Sequence, residues 1–125
     1  MRRELTIGFV MMLGVACWRG SVPRDATPVI DRFLAAAVAG DSLTIRQLTV
    51  GEDPASKVVA MQRREPAILR AVSSKKQLQS SVVKGDSAYV AYRFHLGERT
   101  EILTIGLVRR GGNWVIYNVG MPSRE

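Results

Sequence analysis

Between residues 27 and 73, hydrophobic side chains recur at helical spacing. The clearest stripe predicts a first helix that Thr27 caps, Pro28 opens and Gly40 ends. Its apolar face consists of Val29, Ile30, Phe33, Leu34 and Ala37. The pattern therefore predicts an amphipathic helix that is packed on one side.

Three shorter helical stretches follow the first helix. Asp41 is a predicted cap for a second helix, whose buried residues are Leu43 and Leu48, with Ile45 as a further candidate. Asp53-Pro54 repeats the cap-plus-proline signal for a third helix that carries Val58, Val59 and Met61. Pro66 either kinks this third helix or restarts it as a last turn with Ile68, Leu69 and Val72.

After Ser73 the pattern changes to alternation, which is typical of strands. Four strands are predicted, over residues 77–83, 88–95, 101–109 and 113–119. Their inward faces would carry Leu78 and Val82, then Ala88, Val90, Tyr92 and Phe94, then Leu103, Ile105 and Leu107, and finally Trp114 and Ile116. The turns contain Lys84-Gly85-Asp86, Gly97 and Gly111-Gly112, the last suiting a tight hairpin that needs positive φ. Helices followed by antiparallel strands predict an α+β domain, with the sheet curled over the first helix.

The N-terminus has a pattern of its own. Met1-Arg2-Arg3 is positive, and Leu5 to Ala16 is apolar and free of charge. As a helix this stretch reaches about 18 Å, against roughly 30 Å of membrane hydrocarbon, which favours a cleavable signal peptide over a span. The alternative is a buried N-terminal core helix. We therefore divide the chain into a signal (1–16), a polar tether (17–26), one α+β domain (27–120) and a C-terminal tail (121–125).

The junction Leu13-Gly14-Val15-Ala16-Cys17 resembles the lipobox of bacterial lipoproteins. The resemblance implies cleavage between Ala16 and Cys17 and a diacylglyceryl group on the Cys17 sulfur. Gly14 stands where that family usually has leucine, and Gly14-Val15-Ala16 also fits ordinary signal cleavage. The protein is thus expected in the bacterial cell envelope, held in the membrane by lipid, or else soluble in the periplasm or secreted.

The order of elements resembles the nuclear transport factor 2-like superfamily, a cystatin-like α+β fold. The matching segments are Pro28-Val29-Ile30-Asp31-Arg32-Phe33-Leu34, Ala39-Gly40-Asp41, Gly85-Asp86-Ser87-Ala88-Tyr89-Val90 and Gly111-Gly112-Asn113-Trp114-Val115-Ile116. The likeness is to its small branch of bacterial lipoproteins of unknown function. It implies helices backing a strongly bent sheet of about four strands around a pocket. It does not fix a function, because enzymes, ligand binders and interaction domains share this fold.

Composition narrows the candidate partners. The chain has 125 residues and a formal net charge of +7. Its densest basic clusters are the pairs Arg63-Arg64, Lys75-Lys76 and Arg109-Arg110, with no aromatic interleaving, so we expect no specific nucleic-acid binding. One cysteine excludes an intrachain disulfide and a thiol-rich zinc site.

Catalytic candidates each have a structural explanation. Asp31 falls in the first turn of the first helix, Asp41 and Asp53 fit caps, and Asp86 fits a turn. His95, the only histidine, is predicted on the outward face of its strand. With no glycine-rich phosphate loop and no metal-ligand spacing, the sequence predicts no catalytic residue, cofactor or metal.

Three functions remain open. The first is a non-catalytic envelope protein that binds a small apolar ligand or an envelope protein. Candidate pocket residues are Phe33, Met61, Tyr92, Phe94 and Trp114, although core packing explains the same five. The second is a secreted isomerase or cyclase with Asp31 or His95 in a pocket. The third is a scaffold that forms a homodimer through the sheet face bearing Tyr89, Ala91, Val108, Val115 and Tyr117.

Overall fold

Helices precede an antiparallel sheet, as the sequence predicts. A computed structural model of the protein describes residues 22–124, with side chains through Gly120. In this part the helices are α1 (Thr27–Ala39), α2 (Ser42–Leu48), α3 (Asp53–Arg64) and α4 (Pro66–Ser74). The strands β1 (Gln77–Lys84), β2 (Ser87–Leu96), β3 (Arg99–Arg110) and β4 (Asn113–Arg124) pair in sequence order. The α+β class is confirmed, whereas the predicted signal peptide and Cys17 lie outside the described residues.

Helix ends follow some of the predicted caps and not others. Gly40 ends α1 at φ 75°, in the left-handed region that glycine enters without steric cost, and Asp41 caps α2 through the Thr44 N–H at 3.2 Å. Thr27 is itself helical, and the preceding Ala26 offers no side-chain cap. Asp53 likewise lies inside α3, where it pairs with Lys57 at 3.2 Å. In both helices the proline in the first turn starts the helix without a side-chain cap.

The buried face of α2 differs from the prediction. Leu43 is 67% exposed, while Ile45 and Leu48 are buried. Residues three apart share a helix face, whereas two residues apart they point about 200° away from each other. Burial of Ile45 and Leu48 therefore directs Leu43 outward. Pro66 begins a separate helix rather than a kink, and its predicted apolar residues Ile68, Leu69 and Val72 are all buried.

The predicted inward face of β1 is also wrong in part. Leu78 pairs with Tyr92, but Ser80 pairs with Ala91, so the register shifts by one residue between Leu78 and Ser80. A β-bulge of this kind moves all later side chains to the opposite face. Ser81 is consequently buried and Val82 is 51% exposed. Strict alternation, on which the prediction depended, cannot reveal such an inserted residue.

Strands β3 and β4 are the longest in the sheet, with 12 residues each. Residues 111 and 112 make the predicted turn, with φ 56° and 82°. A shift between Gly106 and Leu107 turns Val119 inward beside Trp114 and Ile116. Strand β4 continues past the predicted end at Val119 to Arg124, so residues 121–124 belong to the sheet and do not form a tail.

The helices and the inward sheet face enclose one hydrophobic core, whose buried members include Phe33, Leu34, Ile105, Leu107 and Ile116. The segment that follows α2 covers the free edge of β4. Thr49 bridges to Ile116, and the Val50 N–H donates to the Ile116 carbonyl at 2.9 Å. This contact fixes α2 and α3 beside β4. In residues 22–124 no helix is both long and apolar enough to cross a membrane.

Candidate ligand-binding groove

The five predicted pocket residues all lie in the core. Phe33, Met61, Tyr92, Phe94 and Trp114 are each no more than 4% exposed. They belong to one packed cluster, and the surface pockets considered below are lined by other residues. In this arrangement the five stabilise the fold.

The two catalytic candidates of the enzyme hypothesis are at the surface. Asp31 lies beyond the first turn of α1, contrary to the prediction, and its Oδ1 pairs with the Lys76 Nζ at 2.8 Å. His95 is exposed, as predicted, and its Nδ1 lies 3.1 Å from the Thr100 Oγ1. A general acid or base of this superfamily type needs a pocket. Neither side chain lines one of the pockets described here.

An open groove runs between α2 and α3. It consists of two adjoining pockets of about 580 and 370 Å³ that share Arg46, Ala55 and Ser56. We call this feature the α2–α3 groove, with the larger and the smaller pocket as its two halves. Its lining residues are Ser42, Ile45, Arg46, Thr49, Gly51, Glu52, Ala55, Ser56, Val59, Ala60 and Arg63.

The groove-lining residues of α3 recur at helical spacing. Ala55, Val59 and Arg63 are spaced four residues apart, as are Ser56 and Ala60, so these side chains share one side of the helix. Val58 and Met61 point away from that side into the core. Arg64 follows Arg63 directly but does not line the groove. In the sequence, Arg63-Arg64 looked like one of several dispersed basic pairs. Counting along α3 in steps of four places Arg63 with Ala55 and Val59 and leaves Arg64 on another side of the helix.

The two halves of the groove differ in charge. Arg46 lines both pockets, Arg63 lines only the smaller one, and Glu52 lines only the larger one. Neither arginine forms an ion pair with a carboxylate among residues 22–120. Ile45, Val59 and Ala60 supply the apolar surface of the smaller pocket, and Ser42 and Ser56 supply hydroxyls. The smaller pocket thus combines two cationic donors with an apolar lining.

Asp25 fastens the segment before α1 to the sheet. Its carboxylate accepts the Trp114 indole N–H at 2.9 Å and a hydrogen bond from Arg109 at 3.2 Å. The Arg109 guanidinium lies 4.3 Å from the centre of the Trp114 ring. The indole hydrogen bond is the main reason that the pKa of Asp25 lies below its ordinary value. We call these three residues the N-terminal latch.

The latch shortens the predicted tether of residues 17–26. Ala26 is fully buried, and Val22 packs partly against the core. Residues 22–26 therefore belong to the folded domain. The sequence missed this because a polar stretch with glycine and proline is typical of a linker, and a pairing between residues 25 and 114 leaves no local signal.

Glu101 is a buried carboxylate that no sequence motif singles out. It is 6% exposed and pairs with Arg99 at 3.3 Å. Its position was available from strand parity, since residues 101, 103, 105 and 107 share one face of β3. No group of three or more metal-ligating side chains occurs among the described residues.

The outer sheet face, proposed as a dimer surface, is open in the single chain. Tyr89 and Tyr117 are 44% and 41% exposed, and Ala91, Val108 and Val115 are half-buried. The Tyr117 ring lies over Gly106, where a Cβ atom would come within 3.0 Å of it. Glycine at this strand position therefore allows the ring to lie flat on β3.

No protein-family model matches the chain, and no curated protein matches it. The resemblance to nuclear transport factor 2-like domains and to bacterial lipoprotein signals therefore stays a prediction.

Proposed function

We propose that the protein is an exported, lipid-anchored envelope protein whose domain binds a small organic anion in the α2–α3 groove. The observation that carries the binding role is that Arg46 and Arg63 both line the smaller pocket, whose surface is mainly apolar. The anchor follows from the lipobox-like junction at Cys17. The proposal includes no chemical step, because the groove lining holds neither histidine nor cysteine beside its serines.

Charge and shape define the ligand. A guanidinium presents a planar set of donors that matches a carboxylate or phosphate, and neither Arg46 nor Arg63 forms an ion pair with a carboxylate of residues 22–120. Ile45, Val59 and Ala60 suit a short apolar group beside that anion. Glu52 in the larger pocket repels a second negative charge. The ligand is therefore expected to carry one anionic end and one apolar end.

Octanoate is a suitable probe, because it joins a carboxylate to a short alkyl chain. In calorimetry on the purified protein, Arg63→Gln is expected to weaken octanoate binding about tenfold, since a hydrogen bond to a charged group contributes roughly 1.5 kcal/mol. Arg46→Gln should act in the same direction. Arg64→Gln is the matched control, since it makes the same change at the next residue of α3 outside the groove.

Two further probes separate charge from apolar contact. Acetate has the carboxylate without the chain, and 1-octanol has the chain without the charge, so both should bind more weakly than octanoate. Equal losses in the Arg63→Gln and Arg64→Gln proteins would contradict binding in the groove. The same conclusion would follow if 1-octanol bound as tightly as octanoate.

The anchor has a separate test in the intact mass of the protein from expressing cells. The full chain should yield a mature form that begins at Cys17 and carries the mass of a diacylglyceryl group. Cys17→Ser should abolish this form, because serine lacks the sulfur that is modified. An unmodified mature chain starting near residue 17 would disprove the anchor and would leave the groove proposal intact.

A further inference from the structure

The N-terminal latch determines which end of the domain lies next to the membrane. Asp25 binds Arg109 and Trp114. These two residues face each other across β3 and β4, one pair away from the pair that flanks the β3–β4 turn. The β1–β2 turn is adjacent, because the Arg109 N–H donates to the Asp86 carbonyl at 2.7 Å. The chain thus enters the domain beside the β1–β2 and β3–β4 turns. We call this end of the sheet the hairpin end.

Chain length limits how far this end can be from the anchor. Four residues lie between Cys17 and Val22, the first described residue. A fully extended chain covers at most about 3.6 Å per residue, so the five steps from Cys17 to Val22 span roughly 18 Å. The opposite ends of the strands are about 30 Å further along β2. A lipid on Cys17 therefore brings the hairpin end, rather than the opposite end, within reach of the bilayer.

The hairpin end is basic. Arg24, Lys84, Arg109 and Arg110 lie there, and we call these four residues the basic end. The latch uses Arg109, but Arg24, Lys84 and Arg110 are exposed and pair with no carboxylate in the described chain. Asp86 is the one carboxylate in the β1–β2 and β3–β4 turns. Val82 and Val83, next to Lys84, are exposed as well.

We infer that the basic end is a second membrane contact, which binds the anionic phospholipid surface beside the anchored Cys17. This inference rests on the proposed function, since the anchor supplies the proximity. Each Lys or Arg near an anionic leaflet contributes about 1 kcal/mol to the attraction. Exposed valines beside the cations suit the boundary between headgroups and acyl chains.

Lysine acetylation on vesicles tests this contact, with Lys84 as the reporter. Lys75 is the internal control, because it is exposed and precedes β1 at the other end of the sheet. Protein isolated from membranes is reconstituted in vesicles of phosphatidylcholine alone or with about 30% phosphatidylglycerol. On the anionic vesicles Lys84 should react about fivefold more slowly than on neutral ones, and Lys75 at an unchanged rate.

Salt and substitutions distinguish an electrostatic contact from simple crowding by the anchor. About 0.5 M NaCl should restore Lys84 reactivity, because salt shortens the Debye length to a few ångströms. The double variant Arg24→Gln/Arg110→Gln should lose most of the protection. The matched variant Arg32→Gln/Arg70→Gln, with two exposed arginines on α1 and α4, should keep it.

Failure of this inference can be told apart from failure of the anchor. The intact mass first establishes whether Cys17 carries lipid. If it does not, the anchor is wrong, and the only thiol is then coupled to a maleimide-bearing phospholipid in the same vesicles, so that Lys84 is still measured. Equal reactivity of Lys84 on neutral and anionic vesicles overturns the inference in either case. That result would mean that the basic end does not contact the membrane and is open to an acidic protein partner.

Discussion

Trp114→Ala is expected to lower the free energy of unfolding by about 3–5 kcal/mol, the usual cost of removing a large aromatic side chain from a core. Trp114 is 2% exposed and belongs to the central cluster. The substitution also removes the indole that binds Asp25 and the ring under Arg109. For a domain of this size, a loss of 3 kcal/mol lowers the melting temperature by more than about 10 °C.

Two other variants separate packing from the latch. Trp114→Phe keeps an aromatic ring but removes the N–H that Asp25 accepts, so its loss should be smaller than that of Trp114→Ala. Tyr117→Ala removes an aromatic ring of the same strand that is 41% exposed, and it should also cost less. Thermal or urea unfolding measures all three. A Trp114→Ala protein as stable as Tyr117→Ala would contradict the central role of Trp114.

The prediction from sequence succeeded where one local pattern determines the structure. Gly40, Asp41 and the 111–112 turn each depend on a few adjacent residues, and the structure contains all three as expected. The buried faces of β2 and β3 follow from simple alternation and are also confirmed. Local chemistry was therefore sufficient for the class of fold and for most of the core.

The errors have a common origin in pairings between distant residues. Val82 points outward because the pairing of β1 with β2 contains a bulge in β1. Asp25 binds a strand that begins 88 residues later, at Asn113. The groove has the same character, since Arg46 and Arg63 come together only through the packing of α2 and α3. For Phe33 and its four partners the sequence favoured core packing over a pocket, although composition alone leaves both open. Packing placed them in the core.

Anion binding and membrane contact use different basic residues. The groove depends on Arg46 and Arg63 of the helical layer, whereas the basic end lies on the hairpins and on the segment before α1. The positive charge, which is scattered along the sequence and predicts no specific nucleic-acid binding, thus separates into two surfaces in the fold. The two surfaces share no residue, so substitutions at one can be tested separately from substitutions at the other. This independence allows each proposal to fail alone.

Alkaline pH is expected to destabilise the domain through Tyr92, which is 4% exposed. Burial disfavours the phenolate and, with a contribution from the charge of Asp31, raises the pKa of Tyr92 from 10.0 to about 12. Because this pKa is higher in the folded state, the unfolded chain loses its proton first. Stability is then fully present below pH 10 and declines as the pH rises toward 12.

The pH profile of urea unfolding, compared between the natural chain and Tyr92→Phe, measures this effect. A shift of about 2 pKa units corresponds to about 2.7 kcal/mol in total. Because the pKa in the folded state is about 12, the natural chain should lose roughly 2 kcal/mol of this relative to Tyr92→Phe between about pH 8 and pH 12. Tyr89→Phe, which removes an exposed phenol from the other face of β2, is the control and should retain the alkaline loss. Parallel profiles for the natural chain and Tyr92→Phe would mean that the Tyr92 hydroxyl is solvated in the folded protein. In that case the region around Tyr92 and Asp31 would be open to water, and a pocket at this end of the core would again become a candidate site.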